Sequence, residues 1–322
     1  MTGSTGRIRG FALAALVAAV LVSTAEVEAQ YRYGGRGYDD DGGQGIFVEL
    51  EGSLANVRNA DNVVATIDSG NVVSSVVPPW DDDVAGRLGG GYRWGGNKLF
   101  ARVWGFAAEQ DAVATGALNF AVGPPVGGDD SGTALQVTTE ITMNTIDVGW
   151  ARTHGLGESF DLEWSAAFRY ATFEETQEGL YADGAEVFRV AKSNEGEMIG
   201  PHVGVRGTYG LERLFFSGGL GFSFLDGELT ASSGLTQIAG GTGASFSGFL
   251  DDGRSGSIRE LDVTGGWRNP GNSLQVYVGW EQAEWMDIAA DMVRNFSTTT
   301  SPLRDRDSVT VSGFKIGFRY RR

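Results

Sequence analysis

Histidines, cysteines and clustered carboxylates are the side chains that most often carry catalysis or hold metals, and this chain offers few of them in useful arrangements. It contains two histidines, His154 and His202, and no cysteine. Without cysteine there is no disulfide framework, thiolate nucleophile or cysteine-type zinc site. A two-histidine metal site needs both rings together, yet the pattern below puts His154 in a short turn and His202 inside a strand. The sequence therefore predicts no metal and no cofactor.

Runs of aspartate are the remaining candidates for chemistry, at 81–83, 129–130 and 251–252. The first could hold calcium or bridge divalent ions to lipopolysaccharide, but it lacks the ligand spacing of a defined calcium loop. Solvated loop edges are the better interpretation of all three. A surface protease of the ten-stranded omptin type would need an Asp and a His together at loop height, and His202 lies well inside its strand. No nucleophile elbow, Walker loop or dinucleotide fingerprint precedes a helix, so we expect no enzyme.

The first residues carry the marks of secretion. Arg7 and Arg9 precede an apolar run over 11–22, and Val27 and Ala29 occupy the −3 and −1 positions of a cleavage site. This pattern predicts a signal peptide over 1–29, because the run is shorter than the roughly 20 residues of a membrane-spanning helix. Residues 30–45 are rich in Gly, Tyr and Asp and are expected to be a flexible periplasmic lead-in. Residues 46–322 then form the folded domain.

Composition favours an all-β domain. The 50 glycines in 322 residues are about twice the average share, and glycine at this density suits bends and turns between strands. The formal net charge of −16 argues against nucleic acid as a partner, since phosphate binding needs a basic surface.

The histidines and the other inward polar residues are predicted to lie on or between β-strands that have one apolar face. Alternation begins at Ile46 and is clearest from Phe160 to Tyr170, where apolar and polar residues take turns. Several segments are longer than soluble strands and match the 9 to 11 residues that cross a bilayer at a tilt. The ten predicted strands start at Ile46 and continue at 84–94, 98–110, 136–151, 159–175, 197–210, 213–229, 257–268, 273–286 and 307–320. Opposite parity on either side of Asn144 predicts a β-bulge there.

Long and short connections alternate between these strands. The short ones are 95–97, 154–159, 211–213 and 269–272, and the long ones are 57–83, 111–135, 176–196, 230–256 and 287–306. An even number of antiparallel strands with short periplasmic turns and long outer loops is typical of outer-membrane β-barrels. Ten strands are predicted, with twelve as the alternative if 63–67 and 72–77 form a further hairpin. These two segments are too short to span, so an extracellular hairpin is the preferred interpretation.

The two faces of the strands differ in chemistry. The turn-side ends carry an outward aromatic residue that fits a lipid-facing girdle; these are Tyr92, Trp150, Tyr209, Trp267 and Tyr320. Tyr170, Phe224 and Trp280 could form the opposite girdle. The other face is polar and is predicted to line a pore, where a substitution such as Ser223→Arg should be tolerated. The predicted pore-lining residues are Glu51, Arg87, Arg93, Asp161, Glu163, Arg169, His202, Arg206, Asp262, Arg268, Glu281 and Lys315.

Several stretches of the second half resemble the Legionella-type major outer-membrane protein family. They are FDLEWSAAFRY, GEMIGPHVGVRGTYGL with FFSGGLGFSFLDGEL, and LQVYVGWEQAEW. The closing VSGFKIGF is similar to the C-terminal signal that the barrel-insertion machinery reads, although Arg319, Tyr320, Arg321 and Arg322 follow the aromatic residue at which such barrels normally stop. The resemblance implies passive pore formation and no catalytic residues.

The sequence thus predicts an antiparallel transmembrane β-barrel in the bacterial outer membrane. Its expected partners are outer-membrane lipid, lipopolysaccharide and the insertion machinery. A narrow, non-specific diffusion channel is the preferred function. A non-conducting adhesin or structural barrel that acts through its loops is the alternative, and the sequence does not say whether the lumen is open.

Overall fold

The computed structural model describes residues 44–59, 65–68, 73–76, 82–120, 132–183, 186–239, 245–287 and 308–322. The predicted signal peptide and nearly all of the lead-in lie outside these residues. Every regular element in the described part of the chain is a β-strand. It contains no helix that is long and apolar enough to cross a membrane.

Ten long antiparallel strands close into a barrel. Each pairs with its neighbour along the chain, and β1 pairs with both β4 and β12, so every long strand has two partners at the height of the closed barrel. Above that height β5 and β10 extend beyond β4 and β11, whose last pairs are Ala85–Phe106 and Ser257–Met286. Closure satisfies all backbone groups between strands, which a membrane requires because lipid offers no hydrogen bonds. The long strands are β1 (Gly45–Asn59), β4 (Asp83–Trp94), β5 (Asn97–Phe120), β6 (Gly132–Gly155), β7 (Phe160–Asp183), β8 (Glu186–Leu211), β9 (Leu214–Ala239), β10 (Ser245–Arg268), β11 (Leu274–Met286) and β12 (Ser308–Arg321).

Two short strands form the further hairpin that the sequence suggested. β2 (Ala65–Asp68) pairs with β3 (Val73–Val76), and β2 also pairs with the loop-side end of β5, where Ala65 lies opposite Phe120. The prediction of ten spanning strands with a short outer hairpin is confirmed. The hairpin lengthens the sheet beside β5 and takes no part in closing the barrel.

Tight turns join the strands on one side, as predicted. Gly95 and Gly96 form the β4–β5 turn with φ of 49° and 80°, the pair of positive angles that a two-residue type I′ turn requires. Glu212 and Asn272 also have positive φ, at 45° and 51°, in the β8–β9 and β10–β11 turns. We call this end of the barrel the turn side and the other end the loop side.

Three of the long connections predicted from the sequence, 111–135, 176–196 and 230–256, are largely strand in the described residues, so their predicted bounds are wrong. The connection predicted over 287–306 lies almost entirely outside the described residues. β7 and β8 are separated only by residues 184–185, and β9 and β10 only by residues 240–244. The aspartates at 251–252 therefore lie within β10 and not in a loop, while those at 129–130 lie outside the described residues. The apolar alternation ends with the outward apolar residues, but the backbone ladder continues, because cross-strand hydrogen bonding needs no apolar face.

The bulge expected near Asn144 is also wrong. Registers from β6 to β5 and to β7 run through this position without interruption. Ile141, Met143 and Thr145 are all buried on the same inward face as Asp147. The change of parity that suggested a bulge has another cause: apolar residues face the inside of the barrel at this height.

An apolar band circles the outside of the barrel. On β7 it runs from Phe160 to Tyr170, and Phe168 is 69% exposed within it. Ten residue steps at about 3.3 Å and a tilt of about 40° give a height of about 25 Å, which is that of the lipid-facing band of outer-membrane barrels. Glu174 and Glu178 face outward above Tyr170, so this strand leaves the membrane there and extends about 30 Å further on the loop side.

Candidate functional site: the barrel interior

A layer of apolar side chains crosses the interior near the loop-side edge of the band, and all ten long strands contribute to it. We call it the apolar layer. Strand by strand it consists of Ala55 and Val57, Ala85, Trp104 with Phe106 and Ala108, Ile141 and Met143, Ala171 and Phe173, Met198, Leu225, Ile258, Trp285, and Val309 with Val311. Contacts between side chains from opposite walls mean that the layer fills the lumen and does not merely coat it.

The side chains of this layer are as buried as those of a soluble core. Ile141, Met143 and Val309 have no exposed surface, and Trp285 is 1% exposed. The Trp285 ring lies 6.2 Å from that of Trp104, centroid to centroid. A water-filled lumen would leave such residues wetted on one side, so this cross-section is closed and dry.

Beneath the apolar layer, toward the turn side, the interior is ionic. We call this the ionic layer. Acidic and basic side chains from many strands meet there; the layer comprises Glu49, Glu51, Arg87, Asp147, Arg169, His202, Arg206, Glu260, Asp262, Glu281, Lys315 and Arg319. Charges removed from water are costly unless they are paired and hydrogen-bonded. The pairing therefore decides whether this layer is stable.

Arg169 ties two walls of the barrel together. Its Nε and Nη2 donate to the two carboxylate oxygens of Asp147 on the neighbouring strand, at 2.6 Å and 2.8 Å. Its Nη1 forms an ion pair with Glu260 across the lumen at 2.9 Å. The arginine is 1% exposed, so this bridge closes the interior at its own height.

A second group of ion pairs closes the opposite side. Arg87 lies 2.5 Å from Glu51 on the adjacent strand and 3.2 Å from Glu281 across the barrel. The ammonium of Lys315 lies within 3.7 Å of Glu51, 3.6 Å of Asp262 and 3.5 Å of Glu281. The hydroxyl of Tyr277 donates toward Glu51 at 2.7 Å. Glu51 and Glu281 thus each meet several donors, as a stable buried network requires, whereas Oδ2 of Asp262 has the Lys315 ammonium at 3.6 Å and no hydrogen bond among the described residues.

Below the ionic layer the lumen widens into a cavity of about 630 Å³ that reaches the turn-side mouth. We call it the turn-side cavity. A much smaller void of about 80 Å³ lies within the ionic layer, bordered at one end by Glu163 and Arg206 of the turn-side cavity and at the other by Trp285 of the apolar layer. The interior is therefore open to the turn side as far as the ionic layer.

Comparison with known proteins supports the fold. No family model and no curated protein matches the chain. Among solved structures it is similar to the outer membrane protease OmpT from Escherichia coli, with 11% identity over 86% of this chain and 97% of that one and a TM-score of 0.50. A major outer membrane protein from Thermus thermophilus matches with 16% identity over 86% and 99% of the two chains and a TM-score of 0.34.

At 11% identity the likeness to the OmpT structure is one of fold. The closed ten-stranded barrel, its outward apolar band and its aromatic ends agree with that fold. The protein is a bacterial outer-membrane β-barrel.

The predicted pore-lining residues all face inward, but they do not line an open tube. Arg93, Asp161 and Arg268 border the turn-side cavity, and Glu163 lies there with its carboxylate 2.8 Å from the Lys98 ammonium. The others belong to the ionic layer: Glu51, Arg87, Arg169, His202, Arg206, Asp262, Glu281 and Lys315. The expectation of a polar inner face is thus wrong at the height of the apolar layer, because the inward residues there are aromatic and aliphatic.

The predicted girdle residues face outward at the turn side. Tyr92, Tyr209, Trp267 and Tyr320 are exposed there, and Trp150 packs edge-on against Trp164 with ring centroids 4.6 Å apart. Their contact with lipid stays a prediction.

The histidines and Ser223 show how tightly the interior is built. His202 Nδ1 lies 3.0 Å from Ser223 Oγ inside the ionic layer, while His154 accepts a hydrogen bond from Trp164 at the turn side. In the described residues no cluster of acidic and histidine side chains could hold a metal. Ser223 has no exposed surface, so there is no room for an arginine at this position. The expectation that Ser223→Arg would be tolerated in a wide lumen is therefore wrong.

Parity also places Glu49 and Arg319 on the inner face, whereas four inward polar residues were missed by the sequence reasoning. Asp147 was hidden by the expected bulge, and Glu260 shares the parity of Asp262 and could have been found. Tyr277 has inward parity but was passed over as an aromatic residue. Lys98 is the first residue of its predicted strand, and the alternation of inward and outward residues was not extended to that position.

Proposed function

We propose that this protein is a non-conducting outer-membrane barrel that presents its loop-side strands to the cell exterior, as an adhesin or structural protein does. The observation that carries the proposal is the apolar layer, to which every long strand contributes. Hydrophobic constrictions stop ions by excluding water. Here the constriction is filled by packed side chains, among which Ile141 and Met143 are wholly buried.

The ionic layer supports the same function. Opening a path past it would require bridges such as Arg169–Glu260 and Arg87–Glu281 to separate within the barrel. Removing one partner of a buried pair typically costs about 3 to 5 kcal/mol. A diffusion channel has no use for two successive barriers of this kind, which is why we favour the non-conducting barrel over the porin-like one.

The loop-side strands are the largest feature that remains to be explained. β5 to β10 are 24 to 26 residues long, although about 10 are enough to cross the bilayer. The other long strands have 12 to 15 residues. The barrel therefore carries a tall wall on one side, and the β2–β3 hairpin adds to it beside β5. Such a wall offers a large rigid surface to the exterior.

We also propose that the protein is not an enzyme. The chain has two histidines, one inside the ionic layer and one at the turn side, so neither lies where a carboxylate and a histidine could activate water at the loop-side mouth. The likeness to an outer membrane protease concerns the fold and supplies no site residues. Membership of the Legionella-type major outer-membrane protein family likewise stays a proposal.

The test is ion conduction in planar bilayers by the refolded protein, with an outer-membrane porin measured in the same membranes. We expect no discrete conductance steps when insertion is verified independently. Regular ohmic steps from the wild-type barrel would overturn the proposal and favour the diffusion channel.

A second experiment tests the working surface. Replacing 176–193 by Asn-Gly would shorten the β7–β8 hairpin and keep its register, since Glu175 and Asn194 face each other and this dipeptide forms a two-residue turn. Cells that express the wild type should adhere to coated or abiotic surfaces more than cells that express the shortened, still inserted barrel. Equal adhesion of both would contradict a role for this wall.

A further inference from the structure

The turn-side cavity has the size and the enclosure of a small-molecule site. Its volume of about 630 Å³ falls in the range of roughly 300 to 1,000 Å³ that such sites occupy. The ionic layer closes it from above, so a ligand would enter and leave at the turn side, which faces the periplasm in barrels of this class.

Arginine dominates the lining of this cavity. Six arginines line it, namely Arg93, Arg206, Arg268, Arg319, Arg321 and Arg322, against two carboxylates, Asp161 and Glu163. Three of these charges are already matched within the barrel. Arg206 pairs with Asp262 at 2.8 Å, Arg319 pairs with Glu49, and Glu163 pairs with Lys98.

The remaining arginines are left without a carboxylate at ion-pair distance. For the other four, Arg93, Arg268, Arg321 and Arg322, no ion pair occurs among the residues that the structure describes. Asp161 is the carboxylate of the lining that remains to oppose them. The cavity therefore holds an excess of positive charge that buried or half-buried arginines normally avoid.

Two of these arginines have features that suit a ligand. The Nε of Arg321 is buried and has no hydrogen-bond partner in the described part of the chain. Arg268 is held by its Nε, which donates to the backbone carbonyl of Glu212 at 3.0 Å. Its guanidinium lies against Gly210, where an added Cβ would come within 2.4 Å of Nη2. One arginine is thus unsatisfied and the other is fixed in place.

We propose that the turn-side cavity binds a small phosphorylated molecule from the periplasm, with Arg268 and Arg321 as its principal ligands and Arg93 assisting. The planar fork of a guanidinium matches the oxygens of a phosphate and donates two charge-assisted hydrogen bonds to them. The proposed site is independent of the proposed function. Ligand binding is measured in detergent, and its result does not depend on whether the barrel conducts ions. The proposed site also gives a role to Arg321, one of the arginines that follow the aromatic residue of the C-terminal insertion signal.

Carboxylates of the chain itself are the competing occupant. The run at 39–41 is all aspartate and lies shortly before Gln44, which borders the cavity. We favour a phosphorylated ligand because a phosphate brings more charge and more acceptor oxygens to one point than a single aspartate carboxylate does. The experiment separates the two.

The probe is pyrophosphate, titrated calorimetrically into the folded full chain in a zwitterionic detergent at physiological salt. We expect saturable binding at one site. Arg268→Gln and Arg321→Gln should each weaken it about tenfold or more, since each removes a charge-assisted hydrogen bond. Arg259→Gln is the matched control, because Arg259 lies on the outer wall with its side chain 61% exposed.

Folding of each variant is checked by the heat-dependent gel shift of an intact barrel, and Arg321→Lys should bind with intermediate affinity because it keeps the charge and loses the fork. Absence of saturable binding by the wild type would overturn the proposal, and so would equal weakening by Arg259→Gln. If pyrophosphate binds solely after the aspartates at 39–41 are changed to asparagine, the chain's own carboxylates occupy the cavity and the proposal is wrong.

Discussion

Replacing Trp285 by alanine should reveal whether the apolar layer is dry. A tryptophan side chain buries about 150 to 250 Å², which at about 25 cal/mol per Å² amounts to roughly 4 to 6 kcal/mol. The Nε1 donor of Trp285 has no partner among the described residues, and an unpaired buried donor costs about 1 to 3 kcal/mol. Trp285→Ala relieves that cost, so we expect a net loss of about 2 to 4 kcal/mol in the free energy of unfolding.

Two further variants make this prediction sharp. Trp285→Phe keeps a ring beside Trp104 and removes the unpaired donor, so it should cost less than half as much as Trp285→Ala. Trp267→Ala, on the outer girdle, should also cost less, because lipid replaces the lost contacts. The assay is reversible unfolding by guanidinium in lipid or micelles. A loss below about 1 kcal/mol for Trp285→Ala would mean that water already surrounds this ring, and the closed layer would be refuted.

Other predictions follow from the two faces of the wall and the two ends of the barrel. Arg169→Met should cost about 3 to 5 kcal/mol in the same unfolding assay, because it leaves the buried carboxylate of Asp147 unpaired and removes the cross-lumen partner of the half-buried Glu260; a loss near zero would mean that the ionic layer is hydrated. Phe314→Arg should cost about 2 to 4 kcal/mol if the residue lies near the midplane, and normal insertion would contradict the lipid-facing assignment. On intact cells an impermeant thiol reagent should label Glu178→Cys and not Asn269→Cys, and equal labelling would rule out this orientation.

Much of the barrel could be predicted from the sequence because lipid imposes a strict alternation. The rows from Phe160 to Tyr170 and from Leu274 to Trp280 showed the strands, and the glycine pair at 95–96 showed a turn. The upper ends of the strands could not be located in this way. Above the band both faces of β7 and β8 carry polar residues, so the signal that marked the strands disappears while the ladder continues.

The interior was predictable in chemistry but not in geometry. Parity placed Arg169 and Glu281 on the inner face correctly, yet it could not show which charges meet across the lumen, since this depends on strand tilt and stagger. The apolar layer was missed because the inward apolar residues Ile141 and Met143 were interpreted as evidence of a bulge, and Phe173 on the adjacent strand was not considered. Their consistent inward parity on adjacent strands was the signal that a filled lumen leaves in a sequence.

The most direct test of a closed interior is the reactivity of single cysteines along the lumen, which the absence of native cysteine makes straightforward. Met198 lies in the apolar layer and is 3% exposed, whereas Ser273 borders the turn-side cavity. A small water-soluble maleimide should modify Ser273→Cys readily in the folded barrel. Met198→Cys should react at least about a hundredfold more slowly, because reaction needs local opening of the layer. Comparable rates for the two cysteines would show that water reaches the layer and would contradict a closed barrel.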